Sequence, residues 1–90
     1  ILIPKKDIYT FYLRSNDGSR LTIGDKMISE INGKAGLDPI FAAPSRIALD
    51  KGFHSFELEY FQSITRNSLF VEIESDDIVK QVIPSSMLFK

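Results

Sequence analysis

The chain has 90 residues, with 11 basic and 12 acidic side chains and a formal net charge of −1. That bounds it to one small domain with a modest core, and it excludes the basic stripe with which a nucleic-acid binder holds phosphates. It has no cysteine, so no disulfide supports the fold and the compartment stays open. No apolar run reaches the length of a membrane span. The opening Ile1-Leu2-Ile3-Pro4-Lys5-Lys6 puts apolar residues ahead of the positive charge, the reverse of a signal peptide, and reads as the start of a mature or excised piece of something longer.

The dominant period is two. Tyr9, Phe11 and Leu13 share one face of a first clear strand, with the aromatic residues that pack well on a pleated surface. Ser15-Asn16-Asp17-Gly18-Ser19 stops it with strong turn formers. Leu21 and Ile23 restart the alternation, Gly24-Asp25 breaks it, and Lys26 to Ile31 completes a hairpin. Asn32 to Pro44 reads as an irregular loop, because Gly33, Gly36, Pro39 and Pro44 oppose any regular element. Ile47 and Leu49 mark another strand, and Asp50-Lys51-Gly52 reads as a hairpin turn with Gly52 at positive φ.

From Phe53 to Phe61 the alternation is clearest: His54, Phe56, Leu58 and Tyr60 on one face, Ser55, Glu57 and Glu59 on the other. Gln62 to Ser68 is polar and turn-like. Leu69, Val71 and Ile73 form the next apolar row, Ser75-Asp76-Asp77 turns the chain, and Ile78 to Phe89 gives short extended pieces broken by Pro84. The best place for any helical turn is Pro84 to Leu88. Short strands with turn signals between them predict an all-β, antiparallel sandwich or barrel-like fold.

Little of this carries chemistry by itself. The oxygens of Asn16 and Asp17 could ligate calcium, which takes several hard oxygen ligands, but Asn-Asp-Gly is also good turn chemistry, and that reading is favoured. Asp76-Asp77 reads as a solvated turn. His54, the only histidine, falls on the apolar face and reads as a hydrogen-bonded core histidine. One histidine is a poor basis for zinc, and no serine lies in a nucleophile-elbow pattern that would make it a catalytic base. Glu57 and Glu59 share a strand face, as a glycosidase pair would, yet solvent-facing glutamates give the same pattern. No phosphate loop or dinucleotide fingerprint is present. The residues predict no catalytic constellation.

Several segments together resemble one family. Tyr9-Thr-Phe-Tyr-Leu followed by Ser15-Asn-Asp-Gly-Ser-Arg-Leu21 is similar to the core stretch of the protective-antigen type (PA-14) domain, which usually reads Tyr-x-Phe-x-x-x-Ser-Asp-Asp-Gly-Ser-x-Leu. Gly52-Phe-His-Ser-Phe-Glu-Leu-Glu-Tyr-Phe-Gln62 resembles its Gly-x-His-x-x-x-x-Glu-Tyr-Phe segment. Leu69 to Ile73 and Ile83-Pro84 through Leu88-Phe89 follow in the family's order.

The resemblance implies a non-catalytic β-sandwich module, such as those attached to secreted glycoside hydrolases of the β-glucosidase and hexosaminidase types, in bacteria among others. It implies a secreted, periplasmic or cell-surface location. In the carbohydrate-binding members, paired aspartates joined by a cis peptide hold calcium, and calcium holds sugar hydroxyls. Those positions are Asn16 and Asp17 here, with a further ligand loop at Gln62 to Arg66. The expected carbohydrate-contacting residues are therefore Asn16, Asp17, Asn32, Gln62 and Arg66, and the expected calcium ligands are Asn16, Asp17 and Gln62. Asn16 in place of aspartate removes a negative charge, and Gln62 is longer than the family's asparagine. Both weaken calcium, so no cofactor is the favoured expectation. Relative to the family, the chain reads as one partial domain over 1–90 that lacks the first strands. The alternative is a docking module on a neighbouring catalytic domain, with no ligand of its own and with Phe53, Phe61 and Phe70 as the apolar contacts.

Overall fold

The computed structural model describes residues 1–15, 18–31, 40–60 and 69–89. Its elements are β-strands, with one short 3-10 turn near the end. In chain order the strands are β1 (Leu2–Ile3), β2 (Asp7–Ser15), β3 (Ser19–Ile23), β4 (Lys26–Ile31), β5 (Ile40–Phe41), β6 (Ser45–Leu49), β7 (Gly52–Phe53), β8 (Phe56–Tyr60), β9 (Leu69–Glu74) and β10 (Gln81–Val82). The 3-10 turn spans Ser85–Met87, inside the stretch where the sequence best allowed one.

The strands form three antiparallel sheets. The largest runs β10-β9-β2, with β6 and β5 end to end along the far edge of β2. The second runs β4-β3-β8, and β1 pairs with β7 in a two-stranded ribbon. The period-two pattern becomes layered packing. Tyr9, Phe11, Leu13, Val71 and Ile73 of the large sheet and Leu21, Ile23 and Ile31 of the second are buried in one cluster. Ile1, Ile3, Leu49 and Ile83 complete it. Fully burying an aliphatic or aromatic side chain of this size contributes about 1.5–3 kcal/mol.

The β3–β4 hairpin turns through Gly24 (φ 58°) and Asp25 (φ 66°), the two positive φ values that a two-residue loop matching the strand twist demands. Within it the register slips between Leu21 and Thr22. Leu21 faces Ser29 and Thr22 faces Met27, so Ile28 is the extra residue of a β-bulge. Across the gap, Ser45 Oγ donates to the Ile28 carbonyl oxygen at 2.6 Å, tying the edge of one sheet to the edge of the other.

Three expectations are corrected. The stretch from Asn32 to Pro44 contains β5, which pairs Phe41 with Arg14 and Ile40 with Ser15. Asp50-Lys51-Gly52 is a crossover and not a hairpin turn: β6 pairs with β2, whereas the following strands pair with β1 and β3. Gly52 does take a positive φ, 126°. The strand expected from Phe53 to Phe61 is broken at His54-Ser55, where the chain changes partner. Ile1 and His54 exchange both backbone hydrogen bonds, and the next carbonyl, of Ser55, accepts from Gly24 N on the other sheet at 2.9 Å. Phe61 lies outside the described residues.

Candidate functional site

Three connections leave and re-enter the described structure at one end of the two larger sheets. The first runs from Ser15 to Gly18, the second from Ile31 to Ile40 and the third from Tyr60 to Leu69. Their anchors are in register. Ser15 faces Ile40 on one side and Leu69 on the other, and Ser19 faces Ile31 and Tyr60. At the centre, the hydroxyls of Ser15 and Ser19 lie 3.1 Å apart, both fully buried. The sequence marked these serines only as turn formers. Their signal was two small hydroxyl residues bracketing a turn, at positions where the inward alternation of β2 and β3 would otherwise place apolar side chains.

Asn16, Asp17, Asn32, Gln62 and Arg66 all belong to these three connections, and they lie outside the described residues. What the structure brings together is the set of strand ends from which they depart. Behind that end, Arg14 stacks on the Phe70 ring at 4.3 Å. On the outer face of the second sheet, Arg20 bridges Glu30 at 2.9 Å and Glu59 at 3.4 Å. The Glu30 hydrogen bond is the main reason that the guanidinium pKa is pushed above its ordinary value.

The other expected residues have structural roles. His54 is half-buried at the surface and not in the core, where the crossover lifts it out of the alternation. Its Nε2 donates to the Asp50 carbonyl oxygen at 2.7 Å, bracing the turn around Gly52. Glu59 belongs to the Arg20 row, and Glu57 is exposed on the same strand. Asp76-Asp77 forms the expected turn: Ser75 Oγ accepts from the backbone N–H groups of Asp77 and Ile78, and Asp77 pairs with Lys5. Among the described residues no group of three or more His, Cys, Asp or Glu side chains could hold a metal ion.

Two shallow grooves flank Arg46, away from the loop-bearing end. One, of about 280 Å³, lies between β4 and β6 and is lined by Lys26, Met27, Ile28, Ser45, Arg46 and Ile47. The other, of about 310 Å³, crosses the outer face of the large sheet over Thr10, with Arg46 on one side and Glu74 and Asp76 on the other. Sequence reasoning missed both, and no local signal marks them, because each is assembled from strands far apart in the chain. Beside the second groove, Tyr12 donates its hydroxyl to Glu74, and Lys80 Nζ lies 4.1 Å from the Tyr12 ring centre. That hydrogen bond is the main cause that pushes the Tyr12 phenol pKa up.

The PA14 domain family matches residues 1–86. Two solved structures share the fold. One is an anti-sigma factor domain-containing protein from Clostridium clariflavum, with a TM-score of 0.81 and 27% identity over 99% of this chain. The other is also an anti-sigma factor domain-containing protein, with a TM-score of 0.79 and 27% identity over 98% of this chain. The chain spans only 29% and 30% of the length of those proteins. No curated protein matches it. The family is one of accessory, non-catalytic modules that are carbohydrate-binding or otherwise auxiliary, and its members are often extracellular. Among the described residues no helix is long and apolar enough to cross a membrane. The ordered motifs from Tyr9 to Phe89, the antiparallel sheets and the match over 1–86 agree, and the chain belongs to the PA14 domain family.

Proposed function

We propose that this domain is a carbohydrate-binding or substrate-positioning module of a secreted carbohydrate-active protein, and that it binds with its loop-bearing end. The observation that carries this reading is the register of the anchors. Ser15, Ser19, Ile31, Ile40, Tyr60 and Leu69 align across both sheets, so the connections carrying Asn16, Asp17, Asn32, Gln62 and Arg66 start from one place. Rigid strand ends supporting adjacent loops are a common way to build a binding surface. Asn16, Asp17 and Gln62 are the proposed calcium ligands, in a site weakened by the missing carboxylate. The whole of 1–90 acts as one module, outside the cell or in the periplasm. A parent that carries an anti-sigma factor domain, as in the solved relatives, could use a sugar-reading module as readily as a glycoside hydrolase could.

The test is a glycan screen on the full chain in calcium and in chelator, with Asp17→Ala alongside. Binding that needs calcium and disappears in Asp17→Ala supports the reading, and silence in both metal states overturns it.

A second reading, docking on a neighbouring domain without a ligand, is favoured by one surface feature. Phe53 is 68% exposed and Phe89 is 57% exposed, and their rings meet edge to face at 5.3 Å. Exposed aromatic pairs of this kind suit a protein contact. A clean monomer that binds no apolar dye would count against it.

A further inference from the structure

The two grooves share Arg46 and have opposite chemistry on its two sides. On one side Lys26 and Arg46 line the space between β4 and β6 with no carboxylate among the lining residues. Neither cation has an ion-pair partner among the described residues. The bulge at Ile28 bends β4 here, and bulges often re-aim side chains beside functional sites. Met27, Ile28 and Ile47 give this side an apolar wall.

On the other side, Thr10 faces Arg46 on β6 and Glu74 on β9. The outer strands of such a triplet stand about 10 Å apart, and the small threonine between them leaves a slot. Glu74 and Asp76 supply carboxylate acceptors there. Each groove is near the lower limit of about 300 Å³ for a ligand pocket, a size that suits one sugar ring.

We propose that the two grooves that share Arg46 form a subsite for an acidic saccharide: Lys26 and Arg46 hold a uronic carboxylate, and Glu74 and Asp76 accept hydroxyls of the adjoining ring. The cations supply charge-assisted hydrogen bonds, the stronger kind. The carboxylates suit hydroxyl donors and would repel a second anionic group in the slot. The proposal rests on the reading of the domain as a carbohydrate binder, but it names a ligand class and a surface separate from the loop-bearing end.

The test is calorimetric titration of cellobiouronate, one glucuronate linked to one neutral glucose, and of its neutral methyl ester into the full chain, into the double variant Lys26→Met/Arg46→Met, into Asp76→Asn and into Asp17→Ala. Lys26, Arg46 and Asp76 are exposed, and melting temperatures confirm folding of every variant. Cellobiouronate is expected to bind at least about ten-fold tighter than its ester, to lose about ten-fold or more in the double variant as two charged hydrogen bonds go, and to be unaffected by Asp17→Ala. Equal affinity for acid and ester, no binding of the acid, or indifference to the double variant overturns the proposal. Calcium-dependent binding of neutral glycans that only Asp17→Ala abolishes would leave the loop-end reading standing and remove this one.

Discussion

Ser15 and Ser19 face each other across the gap between the two larger sheets, hydroxyl to hydroxyl at 3.1 Å, although their strands do not pair with one another. The bond therefore closes an arch and does not belong to a ladder. Removing either hydroxyl takes this contact from the other, which stays buried. Ser15→Ala or Ser19→Ala is expected to cost about 1–3 kcal/mol. The double variant should cost less than the sum of the two, because the shared contact is lost only once. Urea denaturation of all four proteins in a double-mutant cycle measures that coupling, and strict additivity would show that the contact carries nothing.

Phe11 is fully buried at the middle of β2. Phe11→Ala is expected to lose about 3–5 kcal/mol through lost transfer energy and an unfilled cavity. That is a large part of the roughly 5–15 kcal/mol that a small domain has in total. The check is the denaturation midpoint, which should fall with little change in slope.

At Gly52 the space for a side chain is open, with nothing within 4 Å of an added Cβ. Its φ of 126° is still a region that residues with a Cβ rarely adopt. Gly52→Ala is therefore expected to destabilise by about 1–3 kcal/mol through backbone strain alone. A melting temperature equal to that of the parent protein would contradict this.

Two tyrosines give an alkaline signature. Burial pushes the Tyr9 phenol above its ordinary value of 10.0, and its hydroxyl donates to the Lys5 carbonyl oxygen at 2.6 Å. The bond to Glu74 does the same for Tyr12. The folded chain thus holds both phenolic protons more tightly than the unfolded chain. The stability tied to them is fully present below the ordinary value of 10.0 and is lost as pH rises through the raised values. Tyrosinate absorbance during an alkaline titration should show late-titrating groups, and Tyr12→Phe should remove one of them.

The strand rows were legible because they are local. Tyr9-Phe11-Leu13, Leu21-Ile23 and Val71-Ile73 each announce a buried face by alternation alone, and each is buried. Pairing was less legible. Asp50-Lys51-Gly52 has the same chemistry whether it closes a hairpin or hands the chain to another sheet, and only distant partners decide which. His54 was misplaced for the same reason: the alternation runs through it, but the change of partner at Ser55 does not show in the side chains. The edge role of Ile40-Phe41 depends on the far end of β2. At the proposed binding end, the motif around Ser15 to Ser19 was readable from residue types, whereas the grooves beside Arg46 exist only once β4, β6 and β9 have assembled around β2.

That dependence on β2 bears on how the chain is made. A ribosome delivers this nine-residue strand before the strands that flank it, β6 and β9. Among the described strands, the local pairing available in the meantime is the β3–β4 hairpin. During that interval a segment rich in Tyr, Phe and Leu waits with both edges open, the condition under which strands find wrong partners. Slower translation or cooler growth should therefore matter more to the yield of this domain than its small size suggests.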